Sequence, residues 1–188
     1  MVFPRIPRLG YHHAMDKSDT IVVFFSRAGE NFKVGNVAIG SAEILANIAS
    51  EKTGAPMFRI VPEKPYPEDL LECNKVARDE QQTNARPAIK RPLPDISQYR
   101  NMILVFPNWW GDLPKPVYTF LDSIDTEGLT VYLIGTHEDN GLAMIDRMLS
   151  QAYPKAKFVK GIAIKGTVVQ SDEAKAVEAV GKYLESIR

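Results

Sequence analysis

One cysteine, Cys73, is the whole thiol content of these 188 residues. That excludes an internal disulfide framework and predicts a reducing compartment, the cytoplasm. Neither sign of charge is in excess, since Lys plus Arg and Asp plus Glu are 23 each. There is then no broad field to draw in nucleic acid or an anionic membrane surface. Long apolar runs are missing too, and none approaches the ~18 residues of a membrane span. There is no Gly-x-Ser-x-Gly elbow or Cys–His pairing of a hydrolase, and no Gly-Lys-Ser/Thr of an NTPase. No His and carboxylate spacing suggests a metal site, and His12 and His13 are too isolated to form one. The first stretch, Met1 to Asp19, lacks periodicity and has no apolar core of signal-peptide type. It is expected to be a poorly ordered arm (1–19) ahead of one domain (20–188).

What is present is an alternation. Hydrophobic residues make up 45% and charged residues 24% of the chain, the balance of a globular protein with a sizeable core. Strand-like runs fall at Thr20–Phe25, Pro56–Val61, Met102–Phe106, Leu129–Ile134 and Lys157–Ile164. Between and after them, Ser41–Lys52, Pro67–Gln82, Lys115–Ser123, Leu142–Gln151 and Ser171–Ile187 read as helices. Alternation of this kind predicts an α/β fold: a five-stranded parallel sheet covered by helices on both faces, three layers in all.

In such sheets ligands bind outside the carboxyl ends of the strands. Both tryptophans of the chain sit at one such end, in Pro107-Asn108-Trp109-Trp110-Gly111. Two adjacent indoles on an exposed loop call for a flat occupant; otherwise one is core and the other a partner surface. The first strand leads through Ser26–Ser41 to a helix amino end, whose unpaired N–H groups suit a phosphate. Ser26 and Ser41 add hydroxyls, Arg27 a charge, and Gly29 and Gly40 close backbone approach; an ordinary strand-to-helix loop is the alternative. The fourth strand runs into Gly135-Thr136-His137-Glu138-Asp139-Asn140-Gly141, with His137 the one candidate for catalysis and Glu138 and Asp139 expected as solvated acids. Cys73, on a helix, is expected to be a buried small residue without chemistry.

Taken in order, several motifs resemble the flavodoxin-like FMN proteins, in particular a branch of short bacterial ones. They are Phe24-Phe25-Ser26-Arg27-Ala28-Gly29-Glu30-Asn31-Phe32, Pro65-Tyr66-Pro67-Glu68-Asp69, Glu72-Cys73 and Asn84-Ala85-Arg86-Pro87. Pro107-Asn108-Trp109-Trp110-Gly111, Pro114-Lys115-Pro116-Val117 and Thr136-His137-Glu138 complete the set, and the similarity spans Thr20 to Arg188. The resemblance implies strand order 2-1-3-4-5, which is that of flavodoxin itself. It implies FMN, with phosphate at Ser26, Arg27, Ala28, Gly40, Ser41 and Ala42. The ring then lies at Pro107, Asn108, Trp109, Trp110 and Gly111, and at Thr136, His137 and Gly141. Two departures stand out. An insertion separates Ser26-Arg27-Ala28 from Gly40-Ser41-Ala42, and Ala42 lacks the hydroxyl of the threonine usual in this branch. One lost hydrogen bond to a charged group is worth about 1.5–3 kcal/mol, and so predicts weaker FMN binding. Asp139-Asn140 also stands where smaller residues are usual, at the expected edge of the flavin.

Three functions follow from the resemblance. The first is an oxidoreductase passing electrons from a reduced nicotinamide, NAD(P)H, to a quinone or similar small-molecule acceptor. The second is an electron carrier between redox partner proteins, which a neutral chain supports less well than an acidic one. The third is a relative with weak or lost FMN binding that serves as a binding module. The sequence leaves the oligomeric state open.

Overall fold

Apolar runs buried on both faces become the central strands of one parallel sheet. A computed structural model describes residues 19–187. The expected arm lies outside the described residues apart from Asp19, whose carbonyl accepts the Arg100 N–H at 2.9 Å. β1 (Thr20–Phe24) is followed by two short strands, β2 (Gly29–Asn31) and β3 (Gly35–Val37), and then by α1 (Ser41–Thr53). Next come β4 (Met57–Arg59), α2 (Leu70–Gln82), β5 (Asn101–Pro107), α3 (Lys115–Asp122) and β6 (Thr130–His137). The chain closes with α4 (Ile145–Ala152), β7 (Lys157–Lys165), α5 (Gly166–Ser171) and α6 (Glu173–Ser186).

The sheet order is β4-β1-β5-β6-β7, all pairs parallel. Counting the predicted strands alone, that is 2-1-3-4-5, the expected order. Alternation along the strands divides the core in two, as period-two side chains must. Ile21, Val23, Met102, Leu104, Val131 and Leu133 face Val117, Leu121 and Leu149 of α3 and α4. Val22, Phe24, Ile103, Val105, Tyr132 and Ile134 face Leu45, Ala49, Val180 and Leu184 of α1 and α6. The β6–β7 register shifts between Tyr132 and Ile134, opposite Gly161, where a Cβ would lie 2.0 Å from the Leu133 carbonyl oxygen. Only glycine lets the two backbones approach that closely.

The structure corrects the sequence reading in three places. The loop after β1 is no plain connection, because β2 and β3 pair antiparallel as a hairpin within it. The helix expected from Leu142 starts at Ile145, since Ala143 has a positive φ of 50°. The helix expected from Ser171 starts at Glu173 as α6, capped by Asp172, which accepts the Lys175 N–H, while Ser171 ends a separate short helix, α5. Among the described residues no helix is long and apolar enough to cross a membrane.

Candidate functional site

β1, β5 and β6 end side by side, so the loops that follow them converge on one sheet edge. An open cavity of about 310 Å³ lies there. Ser26, Arg27, Ser41, Ala42, Pro107, Asn108, Trp109, Trp110, Thr136 and His137 all line it. The remaining expected residues, Ala28, Gly40, Gly111 and Gly141, lie outside the lining. Ala28 is exposed, Gly40 is buried, and Gly111 and Gly141 take positive φ values in the loops that carry the wall.

At one end of the cavity stands the amino end of α1. Ser26 Oγ accepts the Glu43 N–H at 3.1 Å, which leaves its own proton for another acceptor. Helix geometry gives the first N–H groups of α1, at Ser41 and Ala42, no partner within the helix. Loop and helix fit this tightly because residue 40 is glycine: a Cβ there would sit 2.3 Å from Ser26 Oγ and 2.6 Å from the Arg27 carbonyl oxygen. The Ser41 hydroxyl is tied to α5, 3.4 Å from the Gly166 carbonyl and accepting from Gln170 Nε2 at 3.2 Å. Ala42 is 2% exposed, so its methyl belongs to the core as well as to the cavity wall.

Arg27 is placed differently from a free cation. Its Nη2 donates to the carbonyls of Pro67 (2.7 Å) and Glu68 (2.6 Å), and Nε to Pro67 again at 3.3 Å. Nη1 donates to the Glu30 carbonyl. The side chain thus clamps the β1 loop to the segment before α2.

The two indoles take separate environments. Trp109 is half-buried and meets Phe25 (5.3 Å, 87°) and Tyr66 (5.1 Å, 84°) edge to face. Behind it the Tyr66 hydroxyl bonds Glu80, and burial pushes the pKa values of Tyr66 and Glu80 both up. Trp110 is 52% exposed, in a left-handed conformation with φ 57°, under the Arg78 guanidinium. Asn108 ties this loop to the next: its Nδ2 donates to the Gly141 carbonyl and its Oδ1 accepts the Gly111 N–H, each at 2.8 Å.

In the β6 loop, His137 Nδ1 accepts the Gly141 N–H at 2.9 Å. Burial, first, and then Lys165 hold its pKa below the ordinary histidine value, against Glu138 and Asp139. The two acids are not simply solvated, as expected from sequence. Glu138 caps α5, accepting the Thr167 N–H at 2.8 Å and its hydroxyl at 3.1 Å. Asp139 pairs with Lys33 of the hairpin turn at 2.9 Å.

The sequence reading missed one wall. Asn31, Phe32 and Val34 of the hairpin line the cavity, as do Leu70, Cys73, Asn74 and Ala77 of α2. Positions 70, 73, 74 and 77 follow helical spacing, a signal legible in sequence, but which face of α2 meets a ligand depends on packing. Cys73 is buried as expected, and burial raises the pKa of its thiol.

This arrangement suits an elongated ligand: anionic at the α1 end, planar beside the indoles. Comparison with known proteins agrees on the fold. A candidate flavoprotein from Bacteroides eggerthii DSM 20697 superposes with a TM-score of 0.72 at 22% identity, covering 90% of this chain and 98% of its own. A flavoprotein from Lactobacillus acidophilus NCFM, solved in complex with FMN, gives 0.63 at 17% identity, covering 84% and 99%. An NADPH-quinone reductase from P. pentosaceus gives 0.53 at 12% identity, covering 90% and 98%. No curated protein matches the chain by sequence. A flavodoxin family model matches residues 20–180, and the chain belongs to the flavodoxin family.

Proposed function

We propose that this protein is an FMN-dependent oxidoreductase that takes electrons from a reduced nicotinamide and delivers them to a quinone or similar acceptor. The observation that carries it is one cavity joining the α1 amino end to the double-tryptophan loop. Membership in the flavodoxin family and the FMN-bound Lactobacillus relative support FMN as the cofactor. The residues present fit it. The Ser26 hydroxyl and the first N–H groups of α1 would hold the phosphate, at an end a helix dipole favours for anions. Asn108, Thr136 and the two indoles would hold the ring system.

FMN, when bound, supplies the redox chemistry. The chain supplies position and exclusion. Trp109 is fixed by its edge contacts with Phe25 and Tyr66, so that wall costs little ordering when a ring arrives. Asn108 holds the β5 and β6 loops in one register. His137, with Nδ1 accepting from Gly141, carries its proton on Nε2 and offers a neutral donor rather than a charge. The Lys33–Asp139 pair joins the hairpin to the β6 loop at the cavity rim.

The enzyme reading is favoured over the carrier by the zero net charge, since an acidic surface is what steers a small carrier onto basic partners. The reading is tested by titrating the purified protein with FMN, then following NAD(P)H oxidation with a soluble quinone. Quenched flavin fluorescence and quinone-dependent turnover are expected. FMN that stays fully fluorescent and dialyses away overturns the cofactor assignment. Tight FMN without turnover returns the protein to the carrier class.

A further inference from the structure

Arg78 stands out among the cations around the cavity. It follows the wall-lining Asn74 by one turn of α2, and its guanidinium carbon lies 4.9 Å from the centroid of the Trp110 ring. Trp110 lines the cavity and is 52% exposed, so the guanidinium, itself outside the lining, rests on a ring of the cavity wall. The tryptophan loop is held to the same helix, because Gln81, also on α2, donates from Nε2 to the Trp110 carbonyl at 3.1 Å. Four carboxylates on the segments that build the cavity have other partners. Asp139 pairs with Lys33, Glu138 caps α5, Glu80 bonds Tyr66, and Glu30 accepts the Leu70 N–H. Asp79 is its chain neighbour, and adjacent residues on a helix do not face each other. Among the described residues no carboxylate pairs with Arg78.

An arginine stacked on an aromatic face keeps its in-plane N–H donors. Those donors match a phosphate two at a time, and the indole has already limited the freedom the side chain would lose. A reduced nicotinamide dinucleotide is a planar ring tethered to a pyrophosphate. We propose that Arg78, held on Trp110, recognises the phosphate of the dinucleotide donor beside the cavity wall, with the half-buried Asn74 amide on the same helix face. This rests on the donor assignment made above.

The test compares three donors in the FMN-loaded protein with a soluble quinone: NADH, NADPH and the phosphate-free 1-benzyl-1,4-dihydronicotinamide. Arg78→Ala is expected to raise KM for both dinucleotides about tenfold or more, with kcat little changed, because a charge-assisted hydrogen bond is lost. KM for the benzyl donor should stay as in wild type, and Arg78→Lys should recover part of the loss. Added salt should raise the wild-type KM for NADH and leave that of Arg78→Ala flat. Dinucleotide KM values that do not change in Arg78→Ala overturn the inference, as does an equal rise for all three donors. If wild type oxidises none of the three, the donor assignment itself is wrong and this inference falls with it.

Discussion

The backbone N–H of Gly141 donates to Nδ1 of His137 at 2.9 Å. This bond fixes the tautomer and requires a neutral ring, since a doubly protonated imidazole has no acceptor left. Burial, first, and then Lys165 lower the His137 pKa in the same sense. The sign follows. Below the ordinary histidine value, about 6.5, the unfolded chain takes up a proton that the native state resists. The contribution of His137 to stability is therefore present above that pH and lost as pH falls from there through the lowered native value. From pH 7.5 to 5.5 the urea midpoint should fall further in wild type than in His137→Asn, whose amide oxygen occupies the Nδ1 position and can still accept from Gly141. Parallel falls would place the ring outside this linkage.

Asn108 is the joint between the two ring-side loops. Removing its side chain leaves the Gly141 carbonyl and the Gly111 N–H without their partner. Asn108→Ala should cost about 1–3 kcal/mol of unfolding free energy and weaken FMN as well. Asn108→Asp should do no better, because it keeps the acceptor for Gly111 but turns a second oxygen toward the Gly141 carbonyl. Denaturant unfolding without ligand and an FMN titration read the two effects separately. An aspartate variant as stable as wild type would contradict the assignment.

Arg27 spends its donors on the Pro67, Glu68 and Glu30 carbonyls. Loss of this clamp should loosen the β1 loop as a whole. Arg27→Ala is expected to weaken FMN and riboflavin by similar factors and to lower Tm by several degrees. A loss confined to FMN would instead show that the guanidinium leaves its carbonyls to meet the phosphate.

The two tryptophans should separate by readout. Trp109 is wedged between Phe25 and Tyr66, so Trp109→Ala should destabilise the ligand-free protein, by up to about 3 kcal/mol for a half-buried indole. Trp110 is mostly at the surface, and Trp110→Ala should leave unfolding nearly unchanged while shifting the visible spectrum of bound FMN. Denaturant curves and difference spectra on both variants decide the matter. A reversed pattern would exchange the roles of the two rings.

Much of this protein is written in local sequence. Met102–Phe106 had to become a central strand, because five consecutive apolar residues need burial on both faces. Pro114 and Pro116 had to sit at the start of a helix, where their missing N–H groups cost nothing. The double-tryptophan loop had to fall at the carboxyl edge of the sheet, because it directly follows that central strand. The rest is decided by partners far along the chain. The hairpin over 29–37 has strands of three residues each, too short and polar for a periodic signal. Arg27 reads as a charge free for a ligand, but its donors meet carbonyls 40 and 41 residues away. Glu138 reads as a loop acid until α5 brings the Thr167 N–H to it. Arg78 meets an aromatic ring only because tertiary packing sets Trp110 beneath it. Apolar patterning fixes which segments are buried, because burial needs only composition and period. Which long polar side chain meets which partner has no local code, because that choice is made only once the elements have docked.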